Sequence, residues 1–378
     1  MRPTFVSLVL IGTALVGAFV PMRADRVERV FSDGVYPVIQ PRLTHLSNQL
    51  PIALFDILVV AAIVVIVVWL VLACIRFRTE GWRFVMRTAT LAAALYLVFL
   101  AVWGLNYRRE PLRRTLPFRQ ERVTPEALTR LAARTVDELN VIYPHLAATW
   151  PDWNDLPSQL RPAFERARAT VGPHRQVELG RTKHSLLNFY FKRTAIDGMV
   201  GPFFLEVLVN QDVLPLERPF IVSHEWGHLA GRADESEASV LGWVTCMNGP
   251  LWARYSAWIS LYGTIVTGLP PAERTAIGAK LSAGPRRDLL ALSERIARQS
   301  SVVARRASQA AYDRFLKANR LREGVASYGL VVTLLLGAPV EIPSLESQLS
   351  GRVDTGVVSA YKVQTHGVLI NQNLFHNR

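Results

Sequence analysis

Cysteine is scarce. Two cysteines in 378 residues leave no disulfide framework, and without a Cys-x-x-Cys no thiolate metal site is expected. Cys74 lies in an apolar run and Cys246 in a more polar region, so pairing between them is not expected either. Charge is also scarce, at 19% of residues against 50% hydrophobic. The shortage is uneven, because the first 107 residues hold most of the apolar excess. The charge that is present leans positive, to a formal +13, and Arg carries most of it. A basic balance can serve nucleic acid or anionic lipid headgroups. Basic residues do not alternate with aromatic ones as in a single-strand binder. With membrane spans in the same chain, the partner implied is a lipid bilayer and no nucleic acid is expected. No internal repeat or low-complexity tract appears, which excludes solenoid architectures.

Long apolar runs, by contrast, are present. Residues 4–20 carry no charge and read as a first, uncleaved span; a small-residue cleavage site for a signal peptide is missing. Residues 22–50 read as a polar connection. Residues 51–75 are the strongest span, with no charge from Ile57 to Ile75. Arg76, Arg78, Arg83 and Arg87 then crowd a short loop, and residues 89–105 form a third span that ends near Trp103 and Tyr107. Three spans put the termini on opposite sides. The Arg-dense loop 76–87 reads as cytoplasmic, which puts the large C-terminal part outside. Arg108, Arg109, Arg113 and Arg114 argue the other way.

The division expected is therefore a three-span region over 1–107 and a second domain over 108–378. Thr124-Pro125-Glu126 is a helix start, with a cap, Pro at the first position and an acid in the first turn. Leu128, Leu131, Ala132, Val136, Leu139 and Ile142 follow with helical spacing. A short helix is expected over 161–170. Residues 203–209 are aromatic and β-branched and read as a strand. It is either a core strand or an edge strand able to pair with an extended peptide. Residues 250–268 read as a buried or membrane-facing helix. A long helix is expected over about 284–320, with Leu289, Leu290, Leu292, Ile296 and Ala297 inward and its arginines solvated. Residues 325–336 are too short to span, and the tail after Pro343 reads as partly loose.

The chemistry is concentrated in Val222–Ala238. His224-Glu225-Trp226-Gly227-His228 is an H-E-x-x-H. On a helix, residues four apart share a face, so both imidazoles can bind one metal ion with Glu225 beside the water it activates. Chance places this motif in a chain of this length on the order of 1% of the time. Pro219 can open the helix and Gly231 can close it in a left-handed conformation. A second helix then starts near Asp234 and runs through Val240, Leu241, Val244 and Met247. Catalytic zinc needs a third protein ligand and an open position. Three acids compete for it. Asp234 fits H-E-x-x-H-x-x-G-x-x-D. Glu235 fits the E-x-x-A run of glutamate-ligand zinc peptidases, and Glu237 lies two residues on and cannot face the metal with it. Glu235 is preferred. Asp234, Glu237 and Ser239 are then expected to cap the helix or orient ligands, Ser239 through a histidine. His184 and Tyr328 are candidates for oxyanion donors by residue type alone; an ordinary packed or surface role is the competing reading.

Most of the chain resembles an uncharacterised bacterial membrane-protein family with three N-terminal spans and a C-terminal H-E-x-x-H domain of zinc-peptidase type. The resemblance rests on Val27-Glu28-Arg29-Val30-Phe31 with Tyr36-Pro37, on Pro51 to Asp56, and on Trp103-Gly-Leu-Asn-Tyr-Arg108. It rests also on Pro202 to Asn210, His224 to Ala238, Tyr312 to Asn319 and Glu323 to Tyr328. It implies a zincin-like α+β domain carrying a short edge strand, and a glutamate ligand at Glu235. Trp226-Gly227 departs from the family's usual pair, and Gly227 is expected to weaken the helix and loosen the ligands.

The function expected is a membrane-anchored zinc metallopeptidase of the bacterial cytoplasmic membrane, with its active domain extracytoplasmic. His224, His228 and Glu235 bind Zn2+, Glu225 is the general base, and the substrate is a peptide or protein. The alternative is a zinc-containing or metal-free membrane scaffold that binds a protein partner and cleaves nothing. Retention of Glu225 beside both histidines separates the two. Oligomeric state is not legible.

Overall fold

The computed structural model describes residues 5–146, 150–172, 175–319, 330–338, 340, 343 and 345. Met1–Glu341 form one compact unit and Ile342–Arg378 a second. Within the first, the architecture is mainly helical with one small sheet.

Helix α1 (Phe5–Phe19) is followed by α2 (Ala24–Val27), a π-helical stretch over Glu28–Val35 and α3 (Tyr36–Asn48). The expected polar connection is thus mostly helix. Four of its polar side chains, Ser32, Gln40, Thr44 and Ser47, are buried against protein, while its arginines are exposed. Gln40 donates to the Glu178 carbonyl at 2.7 Å, Thr44 to the Leu205 carbonyl at 2.8 Å, and both are buried. The segment read as a polar connection owes part of its polarity to partners more than 130 residues away. Contacts therefore cross the expected boundary at 107/108.

Helices α4 (Leu54–Ile75) and α5 (Phe77–Val102) follow. Residues Leu54–Ile75 and Glu80–Val102 are long and apolar enough to cross a membrane. At 15 residues α1 falls short alone; with Ala24–Asn48, bent by 119° against it, it would make a third. The protein is a membrane protein with two or three such helices. The Arg-dense loop expected over 76–87 is largely helix: α5 starts at Phe77, and Arg83 and Arg87 both pair with Glu80. Past α5, Arg108 donates to the Gly17 carbonyl, while Arg109 grips Glu28 and the Gly231 carbonyl. Both are buried, so neither belongs in a count of free interfacial charge.

After α6 (Leu112–Thr115), α7 (Pro125–Ile142) starts as its sequence predicts. Thr124 accepts from the Ala127 N–H, and Ala132, Val136, Leu139 and Ile142 are fully buried. Helix α8 (Leu156–Val171) is longer than expected. The sheet holds β1 (Thr182–His184), β2 (Gly198–Gly201) and β3 (Glu206–Val209) in the order β1-β3-β2. β3 runs parallel to β1 and antiparallel to β2, with Gly198 opposite Val209 and Gly201 opposite Glu206. The strand expected over 203–209 starts only at Glu206, because Leu205 is left-handed at φ +49. It is central and wholly buried, so the edge-strand reading fails for it. The edge beside the H-E-x-x-H helix belongs to β2, which follows the short α9 (Asn188–Thr194).

The C-terminal part adds α10 (Arg218–Leu229), α11 (Glu235–Met247), α12 (Leu251–Thr267), α13 (Pro271–Ala279), α14 (Ala283–Gln299), α15 (Val302–Ala318) and α16 (Leu330–Gly337). Helix α12 is buried, its Arg254 locked by two bonds to Glu138 at 2.6 and 2.8 Å. The long helix expected over 284–320 breaks at Ser300–Ser301, where Ser301 caps α15. Its facing also differs. Leu290 and Ala297 are exposed, and Arg295 is buried between Asp197 and Glu217. Two acids from other elements turn that arginine inward, and nothing in its local pattern announces them. Cys74 and Cys246 are both free.

Candidate metal centre

The centre is a helix, a tight turn and a second helix. Pro219 occupies the first turn of α10, where its missing N–H costs nothing. Gly231 ends the helix at φ +82, in the left-handed region that favours glycine. The Arg232 N–H reaches the Gly227 carbonyl and the Gly231 N–H the His228 carbonyl, the paired bonds of a Schellman turn. Two more carbonyls at this end are answered from the N-terminal half of the chain. Tyr36 donates to the Leu229 carbonyl at 2.9 Å and Arg109 to that of Gly231 at 2.9 Å. Asp234 then caps α11, accepting from the N–H groups of Ser236 and Glu237.

Helices α10 and α11 lie unusually close. A Cβ on Gly227 would sit 2.8 Å from the Ala238 carbonyl oxygen, and one on Gly242 2.8 Å from the His224 nitrogen. The expectation that Gly227 loosens the ligands is therefore corrected. Its missing side chain lets α11 approach, which fixes their spacing.

That approach brings three donors together. Nε2 of His224 lies 3.1 Å from Oε2 of Glu235, and Nε2 of His228 lies 3.3 Å from the same oxygen. Ligand atoms of His224, His228 and Glu235 all fall within 4.8 Å of one another. Asp234 is occupied as the cap. Glu237 turns away, accepting from the Leu112 N–H at 2.5 Å and from Arg232 at 3.4 Å. Ser239 Oγ lies 3.1 Å from Nδ1 of His224. His184 is on β1 with its ring against Trp153, and does not join the cluster. Tyr328 lies outside the described residues.

The electrostatics test whether a cation fits. Nδ1 of His228 lies 2.7 Å from the Arg232 carbonyl, which can only accept, so that nitrogen carries a hydrogen. Neutral His228 therefore turns a lone pair toward a carboxylate. Burial lowers its imidazole, yet the Glu235 carboxylate outweighs burial and lifts it to about 9. A proton or a metal ion must sit among these acceptors, and a divalent cation fits that donor set.

Glu225 is different. It is buried, and its Oε2 has no hydrogen-bond partner. Burial pushes its carboxyl up to about 6 against the pull of both histidines. β2 passes so close that a Cβ on Gly198 would lie 2.6 Å from Glu225 Oε1. Only glycine fits there without displacing that carboxylate.

Residues far from the motif complete the walls. Tyr312 of α15 donates to Oε1 of Glu235, leaving Oε2 for the histidines. Tyr107 sits beside it, and burial reinforced by the Glu235 charge raises its phenol, so it stays protonated. The Trp103 ring stands edge-on to that of His228 at 6.2 Å. The sequence places Trp103 and Tyr107 only as aromatics at the membrane end of the third span, and gives Tyr312 no role. Their other signal was the kinship stretches 103–108 and 312–319, which carry no spacing that points to a metal.

A family model described as a protein of unknown function (DUF3810) matches residues 31–336. No curated protein matches the chain. No solved structure matches it. The family's description names no chemistry, so the zinc-peptidase part of the expected kinship rests on the site alone.

Proposed function

We infer the chemistry from the site itself, since the chain belongs to the DUF3810 family of proteins of unknown function: it is a membrane-anchored zinc metallopeptidase. One observation carries this reading. Two imidazoles and a carboxylate converge within 4.8 Å on consecutive helices, beside a buried carboxylate with an unpartnered oxygen. Fully satisfied clusters hold folds together; this one leaves a cation's place and a base.

His224, His228 and Glu235 would hold Zn2+. Bound there, it would lower the pKa of water and polarise a peptide carbonyl. Glu225 takes the proton from the attacking water and passes it to the leaving amine, a role its burial and unpartnered oxygen suit. Tyr312 keeps Glu235 in one orientation, and Ser239 and the Arg232 carbonyl do the same for the two rings. The zincin-like architecture belongs to this proposal too. So does placement in the bacterial cytoplasmic membrane with the site outside. Arg76 lies at the α4–α5 turn with Arg83 and Arg87 early in α5, and burial of Arg108 and Arg109 leaves Arg113 and the Glu110-paired Arg114 as the contrary charge.

The test compares wild type with Glu225→Gln in detergent, reading zinc per chain by mass spectrometry and cleavage of a broad peptide library. The expected result is about one zinc per chain in both and cleavage by wild type alone. Zinc absent from wild type would overturn the reading. Zinc in both with cleavage by neither would leave a zinc-binding scaffold in its place.

A further inference from the structure

The loop after β1 and the start of α9 carry largely exposed apolar side chains. Leu186 is 78% exposed and Phe189, in the first turn of α9, is 68% exposed. These values match the outward residues of the span α4, such as Ile57 at 52% and Ile75 at 73%. An apolar patch of this kind marks a surface that meets a partner or a membrane.

Its position decides which. The loop hangs on the first turn of α4: Ser185 Oγ donates to Asp56 at 2.6 Å, and the Leu186 N–H donates to Asp56 at 2.7 Å. Beneath it, Ala53 packs with Phe191 and Leu208, and Phe55, Leu187 and Met199 close over them. Glu206 of β3 caps the same helix end through the N–H groups of Leu54 and Phe55. The patch thus sits where α4 enters the apolar phase. Charge agrees with a lipid surface. Exposed Arg193 holds its guanidinium carbon 5.2 Å from the Phe189 ring centroid, a cation–π contact that sets a positive charge beside the patch, as an anionic headgroup layer favours.

A second element ties α9 to the spans. α15 lies against α9, with the Ser301 N–H on the Arg193 carbonyl. Near its other end, Phe315 meets Phe99, inside the span of α5, at 6.0 Å between ring centroids. Between α9 and α15 lies a groove of about 550 Å³ lined by Phe189, Tyr190, Ala304, Ala307 and Ala311. Ala311 is next to Tyr312, which touches Glu235. Both walls of this groove are therefore tied to a span end.

We propose that Leu186, Phe189 and the exposed face of α9 are seated in the bilayer leaflet at which α4 begins and α5 ends. The partner is the lipid surface itself. This rests on the membrane reading of α4 and α5 and not on the metal chemistry. If that chemistry also holds, the peptide bonds within reach are those at the membrane surface.

The test uses the full chain in nanodiscs, with Cys74→Ala to remove the exposed thiol and Cys246 left buried. A bimane label goes on Leu186→Cys, on Phe189→Cys, and on Ala276→Cys of the exposed α13 as a solvent reference. Brominated phosphatidylcholine is expected to cut emission at 186 and 189 by roughly half, with little effect at 276. Iodide in solution is expected to quench only 276. Iodide access at 186 and 189 equal to that at 276 would overturn the proposal. Shielding from iodide without bromolipid quenching would mean that protein covers the patch, and would overturn it as well. Neither zinc nor cleavage enters the readout, so loss of the metallopeptidase reading leaves this result standing.

Discussion

Two buried carboxylates, Glu206 and Glu225, lie 19 positions apart in the chain and have opposite surroundings. Glu206 on β3 is saturated. It pairs with Lys183 at 2.9 Å, accepts from Ser47 at 3.2 Å, and caps α4 through the Leu54 and Phe55 N–H groups. Lys183 in turn reaches Ser47 and the Ile52 carbonyl. Glu225 on α10 has one oxygen with no partner and only glycine facing it from β2. A buried charge whose every lone pair is answered joins elements; here it pins a span to the sheet. A buried charge left unanswered costs stability and is kept where a reaction uses it.

Substitutions at the two sites should therefore diverge. The largest effect is expected on activity, from Glu225→Gln. Peptide cleavage, read as kcat/KM, should fall by about 10²–10⁴-fold, the contribution of a positioned base. The folded protein should lose no stability, because the change removes a buried charge with an unmet oxygen. A clear drop in Tm for this variant would erase the contrast. Glu206→Ala should do the opposite. It strands Lys183 in the interior, and loss of one partner of a buried pair costs about 3–5 kcal/mol. Thermal unfolding in detergent should show it, and an unchanged Tm would mean that Glu206 does not anchor the span.

Smaller changes sharpen the same contrast within the metal centre. In Gly227→Ala the added methyl meets the Ala238 backbone, and overpacking of this kind costs about 1–3 kcal/mol. Zinc affinity should fall with it, since α11 carries Glu235; isothermal titration would report an unchanged Kd if Gly227 were a mere helix weakener. Tyr312→Phe should leave the Tm within error and weaken zinc about 10-fold, the lower range for loss of a group that orients a ligand. Equal Kd values for Tyr312→Phe and wild type would remove α15 from the site.

The legible parts were those whose cause is local. The H-E-x-x-H spacing, the left-handed Gly231, the Asp234 cap and the Thr124 start each depend on residues within one or two turns. Their geometry follows from helix period and capping alone. The same holds for the apolar runs of α4 and α5. Glu235 is preferred over Asp234 and Glu237 on the E-x-x-A run, a pattern that gives no distance. How near its carboxylate comes to the two rings depends on how closely Gly227 and Gly242 let two helices approach.

What failed to show in the sequence depends on partners distant in the chain. Residues 22–50 looked like a connection because Gln40, Thr44 and Ser47 are polar, and their acceptors lie near 178 and 205. Arg295 looked solvated because Asp197 and Glu217 come from other elements. β3 looked able to be an edge because its neighbours β1 and β2 are three and four residues long and carry little strand signal.

By itself, then, the sequence determined that this is a membrane protein with a two-histidine motif on a helix that turns sharply into a second helix. Hydropathy and helix period act within a single stretch of chain and need no fold to operate. Only the tertiary structure decided that Glu235 faces both histidines, that Tyr312 and Trp103 wall the site, and that Glu206 caps a span. A buried polar group takes whichever partner the packing brings within hydrogen-bond reach, and packing joins residues without regard to their distance in sequence.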